Sequence, residues 1–355
     1  MEGIKNTDMR LISCASYYGS GSSALTDLVS EYARVKNLSN YEFRFIHDID
    51  GIVDLEYHLV NCHNRHNSGH ALKRFMKLCQ FNHGTFFNQR YEPYFNGKYL
   101  DLSLEYIKSL TDFSYKAYWF YDWYDRGRFF YYTKSLQNKL YRKMGIKRSV
   151  LPNEETLASH PTEERFLECT RDYIRKLMKA ANPEKEPILM MDQILPSSNV
   201  NKCLRYFPDD TKLVIVTRDP RDVFLSEKFA WHEDVAPHDP ELFSKWFDYT
   251  HSSNRDETPD PNKVMMINFE DLIYRYDEMV PKLEAFLCLK KEDHLRPFTG
   301  LNPKRSYGNT QLWKKFDDPE SIAIIEKRLK KYLYDFDSVS CNNIAGVEVN
   351  NTSIF

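Results

Sequence analysis

Arg218 and Ser226 stand eight residues apart in the stretch Lys212–Trp231, KLVIVTRDPRDVFLSEKFAW. Their types and spacing suit the binding of an anion. A guanidinium forms paired, charge-assisted hydrogen bonds to a phosphate, and a hydroxyl about two helical turns on can donate from the same side. The elements that must position them are a strand and a helix. Leu213–Val216 is apolar and β-branched, as a buried strand of a parallel sheet requires. Asp219 can cap a helix and Pro220 suits its first position. Phe224, Leu225 and Phe229 then recur at helical spacing. The start of such a helix adds amides and a positive dipole end. The alternative is a capped helix start whose charges, Arg218, Asp219, Arg221 and Asp222, pair with one another.

A second stretch favours the anion. Met9–Ala15 reads as a strand and Ala24–Lys36 as an amphipathic helix with Leu25, Leu28, Val29 and Tyr32 on one face. Between them lies Ser16-Tyr17-Tyr18-Gly19-Ser20-Gly21-Ser22-Ser23. Glycines let backbone wrap an anion, and amides and Ser hydroxyls donate to it. The loop lacks the GK[ST] ending of nucleoside-triphosphatase loops, which sets a P-loop kinase aside.

Other candidates follow from strand ends, where ligands of open parallel sheets bind. Tyr41–Ile46 reads as a strand, bringing Glu42, Arg44, His47 and Asp48 near the site. Ile188–Met191 reads as another and ends at Asp192. Lys263–Phe269 reads as one more, followed by a helix over Met279–Leu287. Lys304-Arg305-Ser306-Tyr307-Gly308, with Trp313-Lys314-Lys315 after it, is a basic loop, and Glu320–Leu333 the final helix. The tail Ser338–Phe355 is polar and expected to be loosely ordered.

The middle of the chain has a different texture. His58–His83 holds five histidines; His63, His66 and His70 could share a helical face, but an exposed polar helix is the better reading than zinc. Twelve of the 20 residues of Phe113–Tyr132 are aromatic, fit for a groove wall, a lid or an oligomer contact. Lys134–Arg148 is basic and suits a solvated face, the guidance of an anionic acceptor, or a membrane surface. Leu151–Pro161 reads as a linker and Glu163–Ala181 as a helix.

Bulk composition narrows the function classes. The 355 residues are 42% hydrophobic and 28% charged, a globular balance. The formal net charge is −2, so no nucleic-acid partner is expected and any anion site must be local. No apolar run reaches the length of a membrane span, and the first residues do not read as a secretory signal. Seven scattered cysteines without a CxxC pair fit reduced thiols in a cytoplasm. Contact with the inner face of a membrane stays open, and no metal is expected. The oligomeric state is not encoded in any motif.

These stretches, in this order, resemble the sulfotransferases that use 3′-phosphoadenosine-5′-phosphosulfate (PAPS). Ser20-Gly21-Ser22-Ser23 is similar to the loop that binds the 5′-phosphosulfate. Arg218 and Ser226, within Arg218–Val223, resemble the pair that binds the 3′-phosphate. Asn268–Leu272 with Phe286-Leu287 looks like the family's next strand–helix unit, and Arg305 and Gly308 like its basic loop over the 3′-phosphate. The resemblance implies an α/β three-layer sandwich around a central parallel sheet, P-loop-like, with a largely helical aromatic-rich insertion. It implies one domain over 1–337, the insertion at about 52–185, and the tail 338–355. It implies PAPS as co-substrate, with Gly19, Ser20, Gly21, Ser22, Ser23, Arg218, Ser226, Arg305 and Gly308 as its binding residues. The acceptor would be a hydroxyl on a glycan, or on a small lipophilic alcohol; a non-catalytic nucleotide- or glycan-binding relative is the third reading. Two departures matter. Gly19 stands where the family carries a cation, so Arg44 or a C-terminal Lys is expected to substitute. Ile194 stands where some relatives place a basic His, leaving Asp192, His47 and Glu42, in that order, as candidate bases.

Overall fold

The computed structural model describes residues 9–117, 124–147, 154–231, 234–252, 257–339 and 344–347. The chain divides into two compact units, Met1–Arg44 with Glu184–Phe355, and Phe45–Pro183.

The first unit is an α/β fold around a five-stranded, all-parallel sheet flanked by helices. Its strands are β1 (Arg10–Ser16), β2 (Val35–Glu42), β3 (Ile188–Asp192), β4 (Lys212–Thr217) and β5 (Val264–Asn268). They lie in the order β2-β3-β1-β4-β5. The central strands are apolar through most of their length, because side chains on both faces are buried. On one face Ile12, Cys14, Met190, Val214 and Val216 pack with Leu25, Leu28 and Val29 of the helix Ser23–Ser30 and with Leu283 and Leu287 of the helix Tyr276–Leu287. A second apolar cluster joins Val223, Phe224 and Leu225 to Phe243, Phe247, Ile322 and Ile325.

β2 departs from the sequence reading. The strand runs Val35–Glu42, not Tyr41–Ile46, and the preceding helix ends at Ser30 instead of reaching Lys36. β2 is an edge strand, so much of VKNLSNYE faces water and shows no apolar run. Its ladder with β3 is irregular between Asn37 and Glu42. The apolar Phe43, Phe45 and Ile46 are fully buried by packing beyond the strand. In the tail, Val339, Ile344 and Ala345 pack against the first cluster; residues 340–343 and 348–355 lie outside the described part.

The second unit is largely helical. Its core is aromatic and its buried hydroxyls bond to each other: Tyr106 to Thr170 and Ser103 to Tyr173, each at 2.7 Å. The Tyr106 and Tyr173 rings stack 4.6 Å apart, joining the helices Tyr99–Leu110 and Glu163–Ala181. Leu151–Pro161 is not a simple linker: Glu155–Ala158 pairs antiparallel with Phe113–Lys116. Of the aromatic run, residues 118–123 lie outside the described part. The histidines have ordinary partners. His63 stacks on His160 and bonds the Ser159 carbonyl, and His70 pairs with Asp125.

Candidate active site

The glycine-rich loop leaves the carboxyl end of β1, the strand beside which the sheet order turns. That is the crevice where open α/β sheets bind ligands. Gly19 and Gly21 have φ of +72° and +74°, a region that L side chains rarely enter. Neither position has room for a Cβ. At Gly19 it would come within 2.8 Å of the Trp231 ring, and at Gly21 within 2.7 Å of Phe269. Ser22 precedes the helix Ser23–Ser30, and Ser20 is buried.

The junction after β4 meets this loop. Arg218 is buried, and its guanidinium donates to the Gly19 carbonyl at 3.1 Å, to Ser226 Oγ at 3.3 Å and to the Asn309 carbonyl at 2.6 Å. One side chain thus ties together three stretches far apart in sequence. The alternative, that this junction's charges pair with one another, holds for Arg221 and Asp219. Arg221 pairs with Asp219 at 2.8 Å and Glu326, and lies 3.6 Å over the Trp313 ring. Asp222 is buried and accepts from the Gln311 and Leu312 amides, which anchors the C-terminal loop; burial pushes its carboxyl up to about 7. Glu270, buried and accepting from the Asp219 amide, is pushed up to about 8, again chiefly by burial.

Several buried polar atoms here lack a partner: Ser20 Oγ, Arg218 Nε and Asn309 Oδ1. Such groups are costly. Two of the three, Ser20 Oγ and Arg218 Nε, are donors, and unsatisfied donors beside a glycine-lined loop fit an anionic ligand; Asn309 Oδ1 is an acceptor and calls for a donor instead. A cavity of about 470 Å³ adjoins them, lined by Tyr17, Arg218, His251, Asn268, Arg275 and Tyr334 among others. The His251 ring is sandwiched between Tyr17 and Phe247, each at 3.8 Å. Burial lowers its pKa to about 4, so it is neutral at physiological pH.

The strand-end carboxylates gather on the other side of β1. Asp192 ends β3 opposite Cys14 of β1 and Glu42 of β2. It is 8% exposed, with Oδ1 unpartnered. Burial, then the nearby Glu42 charge, raises its carboxyl to about 7. Glu42 in turn pairs with the exposed Arg44 at 3.7 Å. Gln193, which the sequence did not single out, sits at φ 56° next to Asp192 and donates to Ser16 Oγ at 2.6 Å. Its backbone amide donates to the Cys14 carbonyl at 2.8 Å.

The remaining candidates are placed differently. His47 belongs to the second unit and is half-buried there. Arg305 donates to the Gly300 carbonyl and lies near Asp27, whose carboxyl is raised mainly by burial against the lowering effect of that guanidinium. Gly308 accepts from Lys315, and its α-carbon faces open space. The residue of this loop that meets Arg218 is Asn309, beside Gly308 and overlooked in the sequence because its backbone carbonyl makes the contact. Among the described residues, Glu227, Asp234 and His238 bring potential metal-ligating atoms within 4.8 Å of one another. The Glu227 carboxylate already accepts from Tyr18 and the Val235 amide.

No protein-family model matches this chain, and no curated protein matches it. Solved structures with partial similarity include a sulfotransferase domain from the curacin biosynthetic pathway. It is 14% identical with a TM-score of 0.41, covering 92% of this chain and 99% of that one. A sulfotransferase from Mycobacterium tuberculosis is 11% identical with a TM-score of 0.32, covering 90% and 77%. A retinol dehydratase solved with androsterone and the inactive cofactor PAP is 14% identical with a TM-score of 0.32, covering 95% and 84%.

Proposed function

We propose that this chain transfers a sulfuryl group from PAPS to an acceptor hydroxyl, on a glycan or surface polysaccharide. The observation that carries the reading is the set of contacts made by Arg218. A buried guanidinium joins the Gly/Ser loop, Ser226 and the C-terminal loop, with unpartnered donors beside it. A doubly phosphorylated nucleotide supplies acceptors for those donors. In this reading the loop amides and the Ser20, Ser22 and Ser23 hydroxyls hold the 5′-phosphosulfate, and Gly19 and Gly21 allow its close approach. Arg218 and Ser226 hold the 3′-phosphate, with Arg305 and Gly308 contributing from the C-terminal loop. The adjoining cavity, with its Tyr17 and His251 rings, suits the nucleoside.

The chemistry is an in-line displacement in which positioning and charge stabilisation dominate. A bond forms between the acceptor oxygen and sulfur. The bond from sulfur to the bridging phosphate oxygen breaks, and its electron pair leaves with the adenosine bisphosphate. The acceptor proton passes to Asp192, whose raised pKa near 7 matches a base working at neutral pH. Glu42 tunes that base, and Arg44 screens Glu42. For the glycan reading, the exposed rings of Phe113, Tyr115 and Tyr124 offer flat faces on which sugars can stack.

The test is calorimetric titration of the purified chain with 3′,5′-adenosine bisphosphate, with ATP as control. Selective micromolar binding, weakened in Arg218→Ala, is expected. Equal or absent binding of both nucleotides overturns the cofactor assignment. A specific feature favours a second reading, nucleotide binding without turnover: Gly19 offers no cation to the leaving phosphate. Selective binding with no label transfer from PAPS to a broad acceptor panel would establish it.

A further inference from the structure

The helix Gly127–Lys143 in the second unit buries none of its residues. Such a helix has no core of its own to account for its sequence, yet that sequence is strongly amphipathic. Phe129, Tyr132, Leu136 and Leu140, with Met144 at its end, fall on one stripe. They are 84%, 66%, 60%, 50% and 71% exposed. The helix carries five basic residues, Arg128, Lys134, Lys139, Arg142 and Lys143, and no acidic one. This concentration occurs in a chain whose formal net charge is −2. The start of the helix is anchored: Asp125 pairs with Arg74 and Lys77, and Arg126 with Glu154. The same unit displays Phe86 and Phe87, 89% and 93% exposed, at the tip of the hairpin Gly84–Gln89.

From this combination we propose that the helix Gly127–Lys143 docks on the surface of an anionic lipid bilayer. An apolar stripe with basic residues around it is the pattern of helices that lie in the plane of a bilayer. The rings and aliphatic side chains enter the headgroup–acyl boundary while the lysines and arginines meet lipid phosphates. The charge complementarity selects this occupant. A second copy of the chain would bring five more positive charges against these five, and a neutral apolar partner would leave the basic residues without a role. The inference does not depend on the transferase reading.

The experiment is co-sedimentation of the full chain with vesicles of phosphatidylcholine alone and of phosphatidylcholine with phosphatidylglycerol. Binding to the mixed vesicles only, weakened by salt, is expected. Reversing three charges (Lys134→Glu, Lys139→Glu, Arg142→Glu) should lower partitioning on the order of 100-fold, at about fivefold per basic residue. Leu136→Ser with Leu140→Ser should lower it as well. Because none of the substituted side chains is buried, both variants should keep the parent's circular dichroism and thermal transition. Absence of binding, or binding equal on neutral and mixed vesicles, overturns the proposal. So does concentration-dependent self-association that Leu136→Ser with Leu140→Ser abolishes, since the stripe would then be covered by a second copy.

Discussion

The two units satisfy their buried polar groups differently. In the parallel-sheet unit the buried polar groups at the strand ends include several ionisable ones: Arg218, Asp192, Asp222, Asp219 and Glu270 are each less than 9% exposed. Some of their atoms have no partner. In the unit Phe45–Pro183 the hydroxyls of Tyr106, Thr170, Ser103 and Tyr173 satisfy each other, and the buried Glu92 carboxylate accepts from the Tyr99 and Leu100 amides. Satisfied hydroxyls between stacked rings specify one packing at little electrostatic cost. Buried charges with vacant hydrogen-bonding capacity are expensive and are kept where a ligand or a reaction uses them. The difference separates a region built to bind from a region built to hold its shape.

Substitutions can break or sharpen that contrast. The largest effect is expected at Asp192. Asp192→Asn should lower the transfer rate by roughly 100- to 10,000-fold with bisphosphate affinity retained, measured by label transfer and calorimetry. Near-parental turnover would move the base to Glu42 or His47. The same variant has a stability signature. The folded-state pKa, about 7, lies above the ordinary carboxylate value, so the folded chain binds this proton more tightly than the unfolded one. Its contribution to stability is therefore full at low pH, declines as pH rises from the unfolded value through about 7, and then levels off. Asp192→Asn should flatten that part of the stability–pH curve.

Next comes Arg218→Ala, which should cost about 2 kcal/mol of bisphosphate affinity, the loss of charge-assisted bonds. Unchanged affinity would reduce Arg218 to a structural tie between loops. In the other unit Tyr106→Phe should cost only about 1 kcal/mol of stability in denaturant unfolding, since Thr170 keeps its bond to the Phe166 carbonyl. Bisphosphate affinity should not change. A loss of affinity there would erase the contrast between binding and scaffold regions. The smallest effect is expected from Glu42→Gln. Removing that charge lowers the Asp192 pKa, so the acid limb of the rate profile should move to lower pH. A limb that stays in place would mean that burial alone sets the pKa.

Legibility in the sequence followed burial. β1, β3 and β4 are covered on both faces, so their apolar runs mark them to within a residue or two; the edge strand β5 is only partly covered, yet its run Val264–Ile267 is apolar enough to mark it as well. The edge strand β2 carries no apolar run because much of it faces water, while the buried Phe43, Phe45 and Ile46 just beyond its end imitate a strand. Glu155–Ala158 was hidden in the same way, as a short exposed strand whose partner lies some 40 residues earlier. The Gly/Ser loop and the Arg218–Ser226 pair were readable because local geometry dictates their composition: a positive φ calls for glycine, and a phosphate-binding junction calls for Arg and a hydroxyl.

The sequence by itself therefore determined the strands of the sheet interior, the glycine loop and the Arg218–Ser226 spacing. Each of these is encoded by short-range periodicity or by one residue's backbone freedom. Only the tertiary structure decided that Arg218 bonds Gly19 and Asn309, that Arg221 is consumed by Asp219 and Glu326, and that Glu42 stands close enough to Asp192 to raise its pKa. Those facts rest on strand order and burial. Electrostatic coupling depends on distance and desolvation, and neither is written in the spacing of residues along the chain.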